Sequence, residues 1–391
     1  MYTFIIPSPF SNLPAISIDP LYAVSARAKK AGAGCFDASI GVILSEEGEP
    51  LMLPGVRKAF DGYAASFSPK DAAYPPLSGV AKFRTTVTEL LFGKNPPSLG
   101  SIATTGGTGA LFLNLRLLQL MMKDVTIILP APAWVNHESM CRSLGMNLVT
   151  MPYLSAGVPS VDGIAEALKS MKGPAALLLQ SGCHNPCGLE FSADQWKEIA
   201  ALCAKYGASV LLDCAYQGLG GTPEEDALPV RVLTEARVPL LVAWSAAKNH
   251  TLYGMRPGLA CAVAENEATA QRISDHYAVL TRSVHSAAAV TGQHIVTLVQ
   301  EKQKKEWSEE LSAVREILTK KRALLIDAFP AHAAALQGKG LFCLLPFSEE
   351  QLLALEQEHA VFLAPGGRLN LAGIPLRRFP QLIEKLAIFL R

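Results

Sequence analysis

The sequence predicts an α/β protein, in which a large domain with a mostly parallel sheet covered by helices is joined to a smaller α+β domain. Short apolar runs without polar alternation recur between residues 126 and 245, and such runs are typical of strands buried on both faces. Amphipathic stretches of helical length separate these runs, which favours layers of helix and sheet. The chain also has 391 residues, more than one hydrophobic core usually organises, so two domains are expected.

The predicted strands of the large domain end where polar residues interrupt the apolar runs. A helix lies between two of these strands, because Ser192 and Gln195 form a capping box at its start and Gly207 ends it. A second, apolar helix is predicted at Ala110–Met122, directly after four small residues. The predicted strands, in chain order, are Ser101–Thr105, Thr126–Pro130, Ala175–Gln180, Ser209–Asp213 and Leu240–Ser245.

The last third of the chain has a different pattern. Residues 301–327 are rich in Lys and Glu, with apolar residues at helical intervals, and predict one or two long helices. We assign residues 46–300 to the large domain, and residues 1–45 with 301–391 to the small domain, as an N-terminal arm plus a C-terminal segment. The elements predicted after the long helices are a strand around 340–346, a helix at 348–359, a strand at 367–372 and a helix from 379.

Composition and charge exclude several classes of protein. Lys and Arg number 35 against 34 Asp and Glu, so no basic face predicts a nucleic-acid partner. No uncharged apolar run approaches the roughly 20 residues that a membrane span needs. The eight cysteines are scattered through apolar runs and the first residues carry no cationic leader, so neither a disulfide framework nor a signal peptide is expected. Together these features predict a cytoplasmic protein.

Chemically active side chains follow four of the predicted strands. Gly106–Gly109 follows the first strand, and Asn185 comes after the third. Asp213 and Tyr216 stand at the end of the fourth strand, and Lys248 follows the last. Because ligands of open α/β sheets bind beyond the carboxyl ends of the strands, we expect these groups to meet at one edge of the sheet.

Two of these groups have both a functional and an ordinary structural interpretation. The backbone N–H groups and helix dipole that follow Gly106–Gly109 suit a phosphate, whereas the alternative is a simple tight turn. An ammonium at Lys248 would lose several kcal/mol of hydration unless it is paired. A Schiff base with an aldehyde cofactor would give that amine a use, and a surface lysine with a packed stem is the alternative.

Three further residues have similar pairs of interpretations. Arg256 follows the lysine by eight residues and suits bidentate contact with a phosphate, or is a surface arginine. Asp213 suits a protonated ring nitrogen of a cofactor, or forms a cap or turn. Trp134, taken apart from its surrounding motif, is better explained by core packing than by contact with a ligand.

A metal site is not predicted. His184 lies between Cys183 and Cys187, but these cysteines do not form a C-x₂-C pair and no second cluster accompanies them.

The motifs around these residues resemble the class I pyridoxal-phosphate-dependent aminotransferases of the aspartate/aromatic type, which have fold type I. The motifs keep their order in that family and, with the segments at 41–57 and 74–93, cover nearly the whole chain. They are Pro132–His137 (PAWVNH), His184–Gly188 (HNPCG), Asp213–Gly218 (DCAYQG), Ser245–Arg256 (SAAKNHTLYGMR) and Gly367–Gly373 (GRLNLAG).

The resemblance implies pyridoxal 5'-phosphate as cofactor, with three catalytic residues. Lys248 would hold it as a Schiff base and then move a proton between the substrate α-carbon and the cofactor. Asp213 would pair with the ring nitrogen, and Tyr216, with Asn185, would hydrogen-bond the ring hydroxyl oxygen. Trp134 would stack on the ring.

The resemblance also implies how the phosphate and the substrate are held. Arg368 would bind the substrate α-carboxylate. The remaining substrate contacts would come from Gly41, Trp134, Asn185 and Arg282. The phosphate would be held by Gly107, Thr108, Ser245 and Arg256, and by Tyr74 of the neighbouring subunit, which implies a homodimer with shared active sites.

By the same resemblance, the activity would move an amino group between an L-amino acid, aspartate or aromatic, and a 2-oxo acid such as 2-oxoglutarate. The mechanism would be ping-pong through pyridoxamine phosphate. A lyase or decarboxylase on the same fold is the alternative, since fold alone does not decide the reaction. A non-catalytic, ligand-sensing domain is a more distant one.

The sequence departs from the family pattern at three places. Cys187 replaces a threonine, and Ala247 replaces a serine that commonly contacts the phosphate. Arg282 stands where dicarboxylate-binding members have an arginine before a proline-containing loop, but the prolines are missing here. Either Arg282 binds a second carboxylate, or His285 and an apolar lining favour uncharged side chains and Arg282 is a surface residue.

Overall fold

The structure is a computed structural model that describes residues 9–14, 20–32, 34–94 and 96–390. Parts of the predicted N-terminal arm, including residues 1–8 and 15–19, therefore lie outside the described residues. The strands are β1 Phe36–Ala38, β2 Leu99–Thr105, β3 Thr126–Ala131, β4 Asn147–Pro152, β5 Leu154–Ser155, β6 Val158–Pro159, β7 Ala175–Gln180, β8 Ser209–Cys214, β9 Leu240–Ser245, β10 Pro257–Val263, β11 Phe342–Leu344, β12 Val361–Leu363 and β13 Arg368–Asn370.

Helices surround and connect these strands. The α-helices are α1 Pro20–Ala31, α2 Pro54–Ser66, α3 Ala81–Phe92, α4 Gly106–Met121, α5 Val135–Ser143, α6 Asp162–Ser170, α7 Ala193–Tyr206, α8 Pro223–Asp226, α9 Leu228–Glu235, α10 Glu267–Val284, α11 Thr291–Lys302, α12 Lys304–Ala328, α13 Ala333–Leu336, α14 Glu349–His359 and α15 Phe379–Leu390. Short 3-10 helices lie at Pro9–Asn12, Pro330–His332, Pro365–Gly367, Leu371–Gly373 and Leu376–Arg378. Within the described ranges, no helix has both the length and the apolarity to cross a membrane.

A seven-stranded sheet forms the centre of the large domain, in the order β2-β10-β9-β8-β7-β3-β4. Strand β10 is antiparallel to both of its neighbours, and the other neighbouring pairs are parallel. Every residue of β7, β8 and β9 is buried, which explains why these strands show no polar alternation. The predicted α/β fold with a mostly parallel sheet is therefore confirmed.

The two faces of this sheet are covered by separate apolar clusters. Leu177 and Leu179 of β7 belong to the cluster that reaches α7 and α12, whereas Leu178 belongs to the cluster around α4. Because successive strand residues point to opposite faces, an uninterrupted apolar run supplies both clusters at once. The sheet is thus fixed from both sides, and its carboxyl edge is a rigid support for side chains.

The predicted strands of this sheet agree with the structure to within two residues, and one helix start was predicted wrongly. Helix α4 begins at Gly106 rather than at Ala110, so the four small residues form its first turn instead of a preceding loop. Gly106 has a φ of 70°, and its backbone N–H donates to the carbonyl of Arg256. Glycine disfavours helix by propensity, but these tertiary contacts outweigh that preference.

The C-terminal elements agree with the prediction, although the strand predicted at 367–372 covers only Arg368–Asn370. Strand β1 pairs in parallel with β12, and β11 pairs antiparallel with β13. Residues 36–38 thus pair with the C-terminal segment, and the grouping of 1–45 with 301–391 as one domain stays a prediction. The boundaries at 45/46 and 300/301 stay predictions.

Candidate active site

The carboxyl ends of the parallel strands and the start of α4 enclose a cavity of about 510 Å³. Nearly all the side chains that the sequence proposed for the site line it. A larger cavity of about 770 Å³ adjoins it at Trp134, Asn185 and Arg368, but contains neither Lys248 nor Asp213. The smaller cavity is therefore the candidate site, and the predicted residues that line it are Gly41, Gly107, Thr108, Trp134, Asn185, Asp213, Tyr216, Ser245, Lys248, Arg256 and Arg368.

Lys248 enters the cavity from the turn that follows β9. Its Nζ lies 5.8 Å from the ring centre of Tyr216 and 5.9 Å from that of Tyr253. Burial, together with the nearby Arg256 guanidinium, lowers the pKa of Lys248 to about 8, although Asp213 acts in the opposite direction. A large share of the amine is therefore neutral in mildly alkaline solution, which both nucleophilic attack and proton acceptance require.

Asp213 is 4% exposed near the end of β8 and lines the cavity. A hydrogen bond of 2.9 Å joins its Oδ2 to Nε2 of His137. Within the described part of the chain, its Oδ1 is buried and has no hydrogen-bond partner. A buried carboxylate oxygen without a donor is costly, so this atom fits a ligand that brings a protonated nitrogen.

The start of α4 packs closely against Ser245 and Arg256. A Cβ added at Gly107 would lie 3.0 Å from the Cβ of Ser245, and one at Gly106 would lie 2.5 Å from the Arg256 guanidinium. That guanidinium, whose Nη1 bonds the carbonyl of Tyr253 at 3.2 Å, makes no ion pair with any carboxylate of the described residues. A cation placed at the positive end of a helix fits a bound phosphate, which would compensate both charges.

Asn185 connects the lysine side of the cavity to its arginine side. Its Nδ2 donates to the hydroxyl of Tyr216 at 3.3 Å, and its Oδ1 accepts from Nη1 of Arg368 at 3.0 Å. Arg368 also donates to the carbonyl of Ser39 and lies 4.6 Å above the ring centre of Phe342. Burial and the charge of Asp213 raise the pKa of Tyr216, so its hydroxyl keeps its proton.

Trp134 and Gly41 complete the walls of the cavity. Trp134 directly precedes α5, and its ring meets that of His137 edge to face at 5.2 Å. A Cβ added at Gly41 would lie 2.8 Å from Cζ of Phe342. Glycine at this position therefore lets the backbone pass directly over the aromatic wall beside Arg368.

Two predicted site residues do not reach the cavity of their own chain. Tyr74 is 97% exposed and lies beside Ala287–Val290. Arg282 is exposed in the last turn of α10, and its Nη1 donates to Oγ of Ser286 at 2.6 Å. We call residues 72–75 and 282–290 the Tyr74–Arg282 surface. The expected contribution of both side chains to a partner's site stays a prediction.

Among the residues that sequence reasoning did not assign to the site, three are in contact with its predicted members. His137, which hydrogen-bonds Asp213, lies three residues after Trp134 in the PAWVNH motif. Both residues are at the start of α5, so the His137 ring meets the Trp134 ring. Gln180 lines the cavity and is the last residue of the apolar strand β7. A polar residue at the end of such a strand was the sequence signal that could have identified it. Phe342 had no signal in the sequence, because its role depends on β11 packing beside Arg368.

The substituted residues of the family motifs have structural partners. Nδ1 of His184 lies 3.2 Å from Sγ of Cys187, and the His184 ring stacks on Tyr153 at 4.0 Å. Burial raises the pKa of Cys187 to about 11, so the thiol stays protonated. At the other departure, the Ala247 N–H donates to Oγ of Ser245 at 3.2 Å. The described residues contain no group of three or more His, Cys, Asp or Glu side chains arranged to hold a metal.

The chain is similar to known proteins along most of its length. The family model described as "Aminotransferase class I and II" matches residues 34–386. An aromatic-amino-acid aminotransferase of Paracoccus denitrificans is 30% identical over 90% of this chain and 92% of the relative, and an aspartate aminotransferase of Haemophilus influenzae is 29% identical over 96% and 99%. The crystal structure of an aromatic-amino-acid aminotransferase from Burkholderia pseudomallei, covalently bound to pyridoxal phosphate, has a TM-score of 0.92 over 98% of this chain and 100% of that chain. At 24% identity, this last likeness shows the fold.

Proposed function

Because the chain belongs to the class I and II aminotransferases, we propose that the cavity around Lys248 is where it transfers an amino group between an L-amino acid and a 2-oxo acid. One observation supports this site above the others. Lys248, whose pKa is lowered, and Asp213, whose buried Oδ1 has no hydrogen-bond partner among the described residues, line the same 510 Å³ cavity. Arg256 lines it too, at the start of a helix. These groups match the aldehyde, the ring nitrogen and the phosphate of one small molecule.

As a member of this family, the protein uses pyridoxal 5'-phosphate as its cofactor. When bound, it accepts the amino group and the electron pair released from the substrate α-carbon. In our proposal Gly107, Thr108, Ser245 and Arg256 hold the phosphate. The ring would be held by Trp134, Asn185, Asp213 and Tyr216.

Lys248 is the proposed base, and its neighbours set its proton affinity. The positive charge of Arg256 and the low polarity around Nζ favour the neutral amine, so a proton taken from the substrate α-carbon has an acceptor near pH 8. Asp213 stays close enough to stabilise the ammonium that then forms. The same amine could then return this proton, so that Lys248 would serve both proton transfers, and hydrolysis by water would release the 2-oxo acid.

Arg368 is the proposed site for the substrate α-carboxylate. Asn185 and Ser39 hold the guanidinium from two sides, and the Phe342 ring supports its face. A guanidinium held in this way binds a carboxylate in a fixed orientation, which places the α-C–H bond toward Lys248. Gly41 lets the backbone close over this part of the cavity.

The proposal includes a homodimer and a choice of substrates. The Tyr74–Arg282 surface carries an exposed tyrosine and an exposed arginine, and both side chains are free to enter a partner's cavity. Tyr74 would reach the phosphate, and Arg282 a second substrate carboxylate. Aspartate or an aromatic amino acid is then the proposed donor, in line with the names of the relatives, and 2-oxoglutarate the proposed acceptor in a ping-pong mechanism.

Location in the cytoplasm is part of the same proposal. All eight cysteines are free thiols, and seven of them are buried, as is usual for proteins of a reducing compartment.

Half-reactions with single amino acids test the proposal. Purified protein loaded with pyridoxal phosphate is mixed with aspartate, phenylalanine or alanine, and its absorbance is followed without any oxo acid. Stoichiometric conversion to the pyridoxamine form by aspartate or phenylalanine is expected, with full recovery on adding 2-oxoglutarate. Continuous release of ammonia or carbon dioxide without conversion would instead show a lyase or a decarboxylase, and would contradict the proposal.

A further inference from the structure

We propose that Gln180 is a positioning residue, which holds Asn185 in the orientation that serves Tyr216 and Arg368 together. This inference rests on the proposed function, because the roles of those three residues come from it. Gln180 lies at the end of β7, opposite Asp213 on β8, and is 8% exposed at the cavity wall.

The side-chain amide of Gln180 makes two hydrogen bonds with a single residue. Its Oε1 accepts from the backbone N–H of Asn185 at 2.6 Å, and its Nε2 donates to the backbone carbonyl of Asn185 at 3.3 Å. Both main-chain polar groups of Asn185 are therefore tied to one planar group at the end of a buried strand. The chain between residues 180 and 185 is closed into a loop of fixed geometry.

The side-chain amide of Asn185 in turn makes contacts in two directions. Nδ2 donates to the Tyr216 hydroxyl, and Oδ1 accepts from the Arg368 guanidinium. Because the amide is planar, a rotation of the residue disturbs both contacts at once. A backbone held at its N–H and at its carbonyl sets the point from which this amide extends.

An apolar side chain at position 180 would remove both partners of the Asn185 backbone. Buried backbone groups without partners are costly, so the loop would move to find others. Asn185 would follow that movement, and Arg368 would lose part of the support that orients it toward a carboxylate. The effect of such a change should therefore appear in carboxylate binding and in the environment of Tyr216.

The test compares two glutamines that make the same kind of contacts in different places. Gln195 accepts from the Ser192 backbone N–H at 2.9 Å and donates to the Pro159 carbonyl at 2.7 Å, but does not line the cavity. Gln180→Met and Gln195→Met are prepared with bound cofactor beside the wild type. Calorimetry gives the dissociation constant of 3-phenylpropionate, an unreactive monocarboxylate. A spectral titration gives the pH midpoint of the bound chromophore.

We expect Gln180→Met to raise the dissociation constant by about fivefold to tenfold, as for one weakened charge-assisted hydrogen bond, and to shift the midpoint. Gln195→Met should leave both close to the wild type. If Gln180→Met does not fold, Gln180→Glu serves instead, since it keeps an acceptor for the Asn185 N–H and should change both quantities in the same direction.

Equal dissociation constants and equal midpoints for the Gln180 and Gln195 variants would overturn this proposal alone. A wild-type protein that binds no chromophore would overturn the proposed function, and this proposal with it.

Discussion

Replacement of Arg368 by lysine should weaken catalysis selectively for substrates that carry an α-carboxylate. The arginine is 6% exposed, and its two terminal nitrogens already support Asn185 and the Ser39 carbonyl. A lysine places one point charge there, so it cannot keep both supports and also grip a carboxylate at two points. Loss of one hydrogen bond to a charged group costs about 1.5–3 kcal/mol, which is about tenfold to a hundredfold in kcat/KM.

Steady-state kinetics with an amino acid and with the corresponding amine, which lacks the carboxylate, measures this effect. Arg368→Lys should lower kcat/KM for the amino acid, mainly through a higher KM, and leave the slow reaction of the amine unchanged. Arg378→Lys is the matched control, because Arg378 also donates to two backbone carbonyls and lies 4.3 Å above a phenylalanine ring, at Phe36. An equal loss for acid and amine, or the same loss in both variants, would refute this reasoning.

Five further outcomes are expected. Uptake of pyridoxal phosphate by the apoprotein should accelerate as the pH rises through about 8 and then level off, because the neutral amine of Lys248 reacts. Arg256→Met removes the cation that helps to lower the Lys248 pKa, so the midpoint of this rate profile should move to higher pH, and an unchanged midpoint would argue against their coupling. Asp213→Asn should still bind the cofactor but lower kcat by at least a hundredfold, as measured in half-reactions, and near-normal turnover would rule out its pairing with the ring nitrogen. Gly107→Ala places a methyl group 3.0 Å from Ser245, so cofactor dissociation measured by dialysis should be faster, with about 1–3 kcal/mol of affinity lost, and unchanged retention would count against a phosphate there. In mixed dimers, an Arg282→Ala chain should restore aspartate turnover when paired with a Lys248→Ala chain, since one intact site then forms, and no restoration would exclude shared sites.

The parts of the fold that were predictable depend on local patterns. Strands β7, β8 and β9 are buried at every position, so their apolar runs were sufficient to identify them. Parallel strands bring their carboxyl ends to one edge, and that rule alone placed Asn185, Asp213 and Lys248 together. The structure agrees with each of these placements.

Other features depend on contacts that no local pattern reports. Arg368 was identified only through the motif around it, because it follows β12 and a short 3-10 turn rather than a strand of the central sheet. Strand β10 was not predicted. Its many small residues gave little sign of a strand that pairs antiparallel with β9, the strand before Lys248. Helix α4 begins early because Gly106 packs against Arg256, which is distant in sequence.

Residues on the Tyr74–Arg282 surface are a separate case. Their chemistry was apparent in the sequence, but a single chain does not show what an exposed tyrosine or arginine contacts. Their test requires two chains, as in the mixed-dimer experiment.

Borohydride reduction of the cofactor-loaded protein, followed by peptide mass mapping, tests the central claim most directly. Lys321 is a built-in comparison, because it is 2% exposed and burial also lowers its pKa to about 8, yet its Nζ bonds the Leu371 carbonyl at 3.0 Å outside the cavity. We expect the reduced pyridoxyl group on Lys248 alone, with none in Lys248→Ala. A pyridoxyl group on Lys321 or on any other lysine, with residue 248 unmodified, would contradict the account.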